Sequence, residues 1–167
     1  MIVELWVDGE MRRVSTQEDA EKAINEALTA IHPDDEVEAG IEPNSIATLH
    51  VYNVAEETNL PERPENSLTI GVNRRTGFGG MTWWGEEIPE DPTQFHWVSA
   101  TDSPPELDPR VIADPWHPLW YGKYNCIPMK KVEMAVAEFW RSGGKRPTIV
   151  NWEPSTANGE SLLTRDS

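Results

Sequence analysis

Short runs in which apolar and polar residues alternate, each cut off by glycine or proline, recur along this chain and commit it to a sheet of brief strands. IVELWV at 2–7, a second run from Met11 to Val14, SIATLHVYNV at 45–54 and SLTIGVNR at 67–74 have this form. So do MTWW at 81–84, QFHWVSA at 94–100 and TIVNWE at 148–153. Asp8-Gly9 between the first two runs is a hairpin signal, and TGFGG at 76–80 breaks the fourth. Fourteen prolines and eleven glycines supply more turns than a helical bundle tolerates.

Two stretches alone carry helical spacing. Residues 16–31 place Ala20, Ala23, Ile24, Ala27, Leu28 and Ile31 on one face, with Ser15 and Glu18 as a capping box and His32-Pro33 as the stop. After Pro128, Val132, Ala135, Val136 and Phe139 form a second stripe that Gly143-Gly144 closes. The expected fold is α+β, a mainly antiparallel sheet of six to seven strands with two amphipathic helices packed on it. One domain is expected over residues 1–153, followed by a polar tail at 154–167 that is mobile unless a partner orders it. Residues 101–127 show no period, and the aromatic-proline run from Asp114 to Tyr121 is expected to pack down as a lid.

Charge divides the chain into three unequal segments. The 29 acids and 14 bases leave −15. Residues 1–31 hold seven acids and three bases, residues 32–114 hold 17 and four, and residues 115–167 hold five and seven, giving −4, −13 and +2. A field of this sign repels nucleic acid and anionic membranes and speeds encounter with a basic partner. The lone Cys126 excludes an internal disulfide. MIVELWVDGEMRR lacks the basic start, long apolar run and cleavage site of a secretory signal, and no run nears the ~20 apolar residues that span a bilayer. The cytoplasm is the expected location.

Catalytic signatures are missing. No GK[ST] follows a glycine-rich stretch, and Gly77 to Gly80 lead into a strand rather than a helix N-terminus. There is no G-x-S-x-G elbow. His32, His50, His96 and His117 are scattered without metal-ligand spacing. Nothing calls for a cofactor, a metal or a catalytic residue, and binding is the expected mode of action. The carboxylates at 86–91 leave a small hydrolase as an alternative, which needs one of them desolvated.

Tryptophan and acid adjoin each other instead. Trp83-Trp84 precedes GEEIPED, and on a strand one of the two faces the core while the other faces outward. Trp6, Trp97, Trp140 and Trp152 fall on regular elements and are expected mostly in the core. The candidate partner-binding residues are Asp34, Asp35 and Glu36 in one acidic loop, Glu86, Glu87, Glu90 and Asp91 in another, and Trp84 and Trp116 as apolar anchors.

The stretch IPMKKVEMAVAEFWRSGGKRPTIVNWEP resembles the end of a large family of bacterial polymorphic-toxin immunity proteins. The shared pattern is Ile127-Pro128, Glu138-Phe139, Gly143-Gly144, Arg146-Pro147 and Trp152-Glu153. LTIGVNRRTGFGGMTW resembles its central strand, glycine turn and tryptophan, carried here by Gly71, Gly77, Gly79, Gly80 and Trp83. The resemblance implies a cytoplasmic antidote that binds and neutralises a cognate secreted toxin, often one of the nucleic-acid (DNA) cytidine-deaminase fold. It also implies that Trp152 belongs to the core. The charge alone also suits an acidic DNA mimic that inhibits a nuclease or restriction enzyme.

Overall fold

The computed structural model describes residues 1–7, 10–29, 44–54, 60–85, 94–114 and 119–164. Ten strands and two helices follow in chain order: β1 (Ile2–Val7), β2 (Glu10–Val14), α1 (Gln17–Thr29), β3 (Asn44–Tyr52), β4 (Asn66–Asn73), β5 (Phe78–Gly85) and β6 (His96–Ala100). Then come β7 (Ile112–Asp114), β8 (Leu119–Trp120), β9 (Ile127–Pro128), α2 (Met129–Arg141) and β10 (Asn151–Pro154). The main sheet runs β10-β6-β5-β4-β3-β1-β2, every pair antiparallel, with β9 also paired to the start of β5. The α+β class read from the sequence is the one observed. The added strands are two- and three-residue pieces too short to show a period.

Alternation divides each strand between two faces. On one side Val3, Leu5, Leu49, Val51, Leu68, Ile70, Val72, Met81 and Trp83 form the main core with both helices. Ala20, Ala23 and Ile24 come from α1, and Val132, Ala135, Val136, Phe139 and Trp140 from α2. The α1 cap falls one residue later than expected. Thr16, not Ser15, precedes the first helical residue, and its Oγ1 accepts the Asp19 N–H at 3.2 Å while donating to the Asp19 carboxylate at 2.7 Å. Ile31 and the Asp8-Gly9 turn lie outside the described residues.

On the other side β7 and β8 pair as a short hairpin over one end of the sheet. Val98, Val111, Ala113, Tyr121 and Cys126 make a second, smaller core there, with Phe78 packed against it. Two glycines make this approach possible. Gly71 and Gly80 face each other across β4 and β5. A methyl group on Gly71 would lie 2.1 Å from the Ile112 carbonyl oxygen, and one on Gly80 would lie 2.5 Å from the Tyr121 ring. The glycine-rich stretch is therefore mostly strand, with only residues 74–77 in the turn. The segment beyond Pro154 folds back: Ser155 N–H donates to the His96 carbonyl at 3.0 Å, and Leu162 N–H to the Pro154 carbonyl at 2.8 Å. Buried Gly159 (φ 83°) sits beside Thr82 and Tyr121.

Gly71→Ala is expected to lower the free energy of unfolding in urea by about 1–3 kcal/mol, the usual cost of overpacking. Gly77→Ala tests the contrast, since its methyl meets no atom within 4 Å and only the φ of 77° opposes it. Equal losses at the two positions would contradict the close approach at Gly71.

Candidate functional site

The second sheet face carries two rows of side chains that the strand register lines up from edge to centre. The first row is Arg13, Glu4, His50, Ser67, Trp84 and His96, one residue from each of β2, β1, β3, β4, β5 and β6. The second is Met11, Trp6, Thr48, Thr69, Thr82 and Val98, from the same strands. The hairpin, Tyr121 and Gly159 cover the Thr82 and Val98 end of the second row. Toward β2 the described residues give less cover, and Trp6 and Met11 are 40 % and 41 % exposed. Trp6 is thus a surface residue, contrary to the core placement expected of it, because it shares the parity of Glu4 and not of Leu5.

Hydrogen bonds fix the polar members of these rows. Arg13 donates to buried Glu4 through Nε at 2.8 Å, with Nη2 at 2.7 Å from the same oxygen. The Tyr52 hydroxyl donates to the other carboxylate oxygen at 3.2 Å. His50 Nδ1 and Ser67 Oγ lie 3.0 Å apart, and the Thr48 and Thr69 hydroxyls 3.2 Å apart. Burial holds His50 below the usual histidine range, partly offset by the Glu4 charge. Burial also lowers His96 and raises Tyr52, and the Glu4 charge adds to the Tyr52 shift. Both imidazoles therefore stay neutral at pH 7. The result is a floor tied together by side-chain hydrogen bonds, with part-exposed Trp6 and Met11 at its β2 end.

Cys126 lies in the smaller core under the hairpin. Burial, with the Asp108 charge adding to it, pushes the Cys126 thiol up to about 12, so it is protonated at neutral pH. Among the described residues no three His, Cys, Asp or Glu side chains are placed to hold a metal ion. No described helix is long and apolar enough to cross a membrane.

Of the candidate binding residues, Trp84 lies half-buried in the first row, while Trp83 beside it is 2 % exposed in the core. Asp34, Asp35, Glu36, Glu86, Glu87, Glu90, Asp91 and Trp116 lie outside the described residues. Their anchors are described. Asn44, the first described residue after 43, pairs with Asn73, whereas Gly85, the last before 86, pairs with Asn66. Seven strand steps of ~3.4 Å put these anchors roughly 24 Å apart, at opposite ends of the sheet. Sequence reasoning missed Trp6, Met11, Thr48 and Thr69. The signal was there as polar or outsized residues at alternate positions of otherwise aliphatic strands.

The C-terminal pattern serves the scaffold. Ile127 and Phe139 are core residues. Gly143 and Gly144 hold φ of 74° and 92°, which ends α2. The Gly144 carbonyl accepts the Trp83 indole N–H at 3.1 Å. The Arg146 guanidinium lies 4.1 Å from the Trp97 ring centroid. Glu138 accepts the Thr148 N–H and hydroxyl at 2.8 and 2.7 Å and the Ile149 N–H at 3.1 Å. These donors are taken by a side chain instead of a neighbouring strand, so β10 begins only at Asn151 and not at Thr148 as its alternation suggests. Within it Trp152 packs against the main core, as the resemblance implies, though only partly buried. Glu153 is the buried residue, accepting from Asn125 Nδ2 at 2.6 Å, while Trp152 is half-buried and donates to the Pro147 carbonyl at 2.7 Å.

The model of the family described as Immunity protein Imm1 matches residues 8–154. No curated protein and no solved structure matches the chain.

Glu138 supplies a pH test of the scaffold. Burial raises its pKa, but the three hydrogen bonds outweigh that and leave it below the ordinary carboxylate range. A depressed folded pKa stabilises above the unfolded value and is lost as pH falls through the folded one. Glu138→Gln is expected to cost about 1 kcal/mol at pH 7, a value kept low for a largely solvated group. The gap to the wild type should narrow toward pH 3 in chemical unfolding. A gap independent of pH contradicts the assignment.

Proposed function

This chain belongs to the Imm1 family of immunity proteins, and from that premise we propose that its cognate toxin is a basic, nucleic-acid-acting domain whose substrate cleft it occludes. Membership carries the toxin-neutralising role and the existence of a toxin partner. The observation behind the finer reading is the net −15, of which −13 lies in residues 32–114. A toxin that acts on DNA or RNA must line its cleft with Lys and Arg to hold phosphates. A protein with this charge meets such a cleft in the substrate's place and is drawn to it by the same field.

In this reading Asp34, Asp35 and Glu36 and the group Glu86, Glu87, Glu90 and Asp91 pair with the cleft, with Trp84 and Trp116 as apolar anchors. A standard interface covers ~800 Å² per partner, roughly 30 Å across, so one toxin domain reaches acidic segments anchored about 24 Å apart. The toxin's chemistry is cytidine deamination of DNA, on the resemblance of the C-terminal pattern, and the protein acts in the cytoplasm by binding and not by catalysis.

The test is the toxin domain encoded beside this gene, assayed for cytosine deamination on single-stranded DNA. An equimolar amount of this protein is expected to abolish its activity, and the association rate to fall at least tenfold between 0.05 and 0.5 M salt as charges are screened. A domain that stays active under saturating protein contradicts the reading. Salt-independent association contradicts the electrostatic part.

A further inference from the structure

The positive charge of this acidic chain gathers around a groove on the helix side. The groove, of about 530 Å³, follows the outer side of α2 and is lined by Met134, Ala137, Glu138, Arg141, Ser142 and Ile149. Met134 and Ile149 are 45 % and 39 % exposed. Residues 129–149 hold five bases and two acids, a net +3, so the rest of the −15 chain carries −18. Arg146 lies against the Trp97 ring. The other four bases border the groove. Lys130 and Lys131 stand in the first turn of α2 and Arg141 in its last turn. Lys145 follows, its carbonyl accepting the Ser142 hydroxyl at 3.4 Å.

The needs of α2 do not account for these charges. A helix N-terminus favours acids, yet the first turn of α2 has two lysines and no acid, and Pro128 gives it no side-chain cap. Glu133 meets Lys130 at 3.5 Å and Glu21 of α1 meets Arg141 at 3.9 Å. Among the described residues no carboxylate reaches Lys131 or Lys145. Glu138 is turned to the Thr148 and Ile149 N–H groups instead. That contact also decides what can lie in the groove. With both donors taken, neither residue of this wall has an N–H left for an added strand, whereas a helix satisfies its own backbone.

We propose that the groove takes an acidic amphipathic helix of another protein. The apolar stripe of that helix rests on Met134, Ala137 and Ile149, and its carboxylates meet Lys130 and Lys131 at one end and Lys145 at the other. The small side chain of Ala137 lets a helix ridge approach closely, and the unbranched Met134 side chain adapts to it. From Lys131 to the end of α2 is ~15 Å at 1.5 Å per residue, so the two acidic ends of the occupant lie about three turns apart. This site goes beyond the toxin-binding reading. The toxin there is basic and drawn by the negative part of the chain, whereas the groove repels a basic partner and selects one of the opposite sign.

Fluorescence anisotropy of two labelled peptides with full-length protein tests this. Both are about 16 residues long, with Leu at every third or fourth position; one carries a Glu pair at each end and the other a Lys pair. The net charge of −15 favours the Lys peptide on the surface at large. The Glu peptide is nevertheless expected to bind at least tenfold more tightly, and Met134→Asp to weaken it at least tenfold. Lys131→Glu combined with Lys145→Glu is expected to reverse the preference, which a loss of folding cannot do. All three positions are exposed, so unchanged thermal midpoints are expected. A wild type that prefers the Lys peptide, or a double variant whose preference is unchanged, overturns the proposal. The double variant should bind the neighbouring toxin domain within twofold of the wild type, and a parallel loss of toxin binding overturns the separateness of the two sites.

Discussion

The register of β4 against β5 is the constraint on which the rest depends. It sets Leu68 opposite Trp83 and Ile70 opposite Met81 on the helix side, and Ser67 opposite Trp84 and Thr69 opposite Thr82 on the other. Side chains alternate with period two, so a one-residue slip of either strand would send Trp83 out and bury Trp84 or the threonines. Two contacts resist that slip. The Trp83 indole N–H reaches the Gly144 carbonyl at the end of α2. Gly71 and Gly80 sit opposite each other where Ile112 and Tyr121 approach. With the register locked, every outer strand inherits its parity, and both rows of the second face follow.

Scaffold and recognition then separate cleanly. The residues of the C-terminal pattern point inward or cap: Phe139 in the core, Gly143 and Gly144 at the helix end, Arg146 against Trp97, Glu153 on Asn125. The exposed side chains of the second face carry no such duty. Trp6 and Met11 could change to follow a partner while the helix-side core stayed as it is.

Much of the fold was legible in the sequence because its signals are local. The α1 and α2 stripes, the β1–β2 and β3–β4 strands and the opposed fates of Trp83 and Trp84 follow from periodicity alone. What was not legible depends on partners distant in the chain. β7 and β8 are three and two residues long and exist because Gly71 and Gly80 leave room for them. Residues 148–150 alternate like a strand, but the Thr148 and Ile149 donors are taken by Glu138 from earlier in the chain. Trp6 was misplaced because a tryptophan in an aliphatic strand looks like core until its neighbours Glu4 and Thr48 are seen to share its face. The candidate site was legible only in part. Charge pointed to the acidic segments, and the alternation that sets Thr48 and Thr69 on the second face gained meaning only once the pairing of β3 with β4 brought them side by side.

The central claim, that the protein binds its toxin with outward-facing Trp84 as an apolar anchor, is tested most directly by the tryptophan indole N–H resonances. Eight tryptophans give eight assignable signals, and addition of the unlabelled toxin domain to labelled protein reports on each of them. The account predicts that the Trp6 and Trp84 signals shift or broaden, while those of Trp83 and Trp152, tied to the Gly144 and Pro147 carbonyls, keep their positions. Movement of Trp83, Trp140 or Trp152 with Trp6 and Trp84 unchanged would place the partner on the helix side and contradict it.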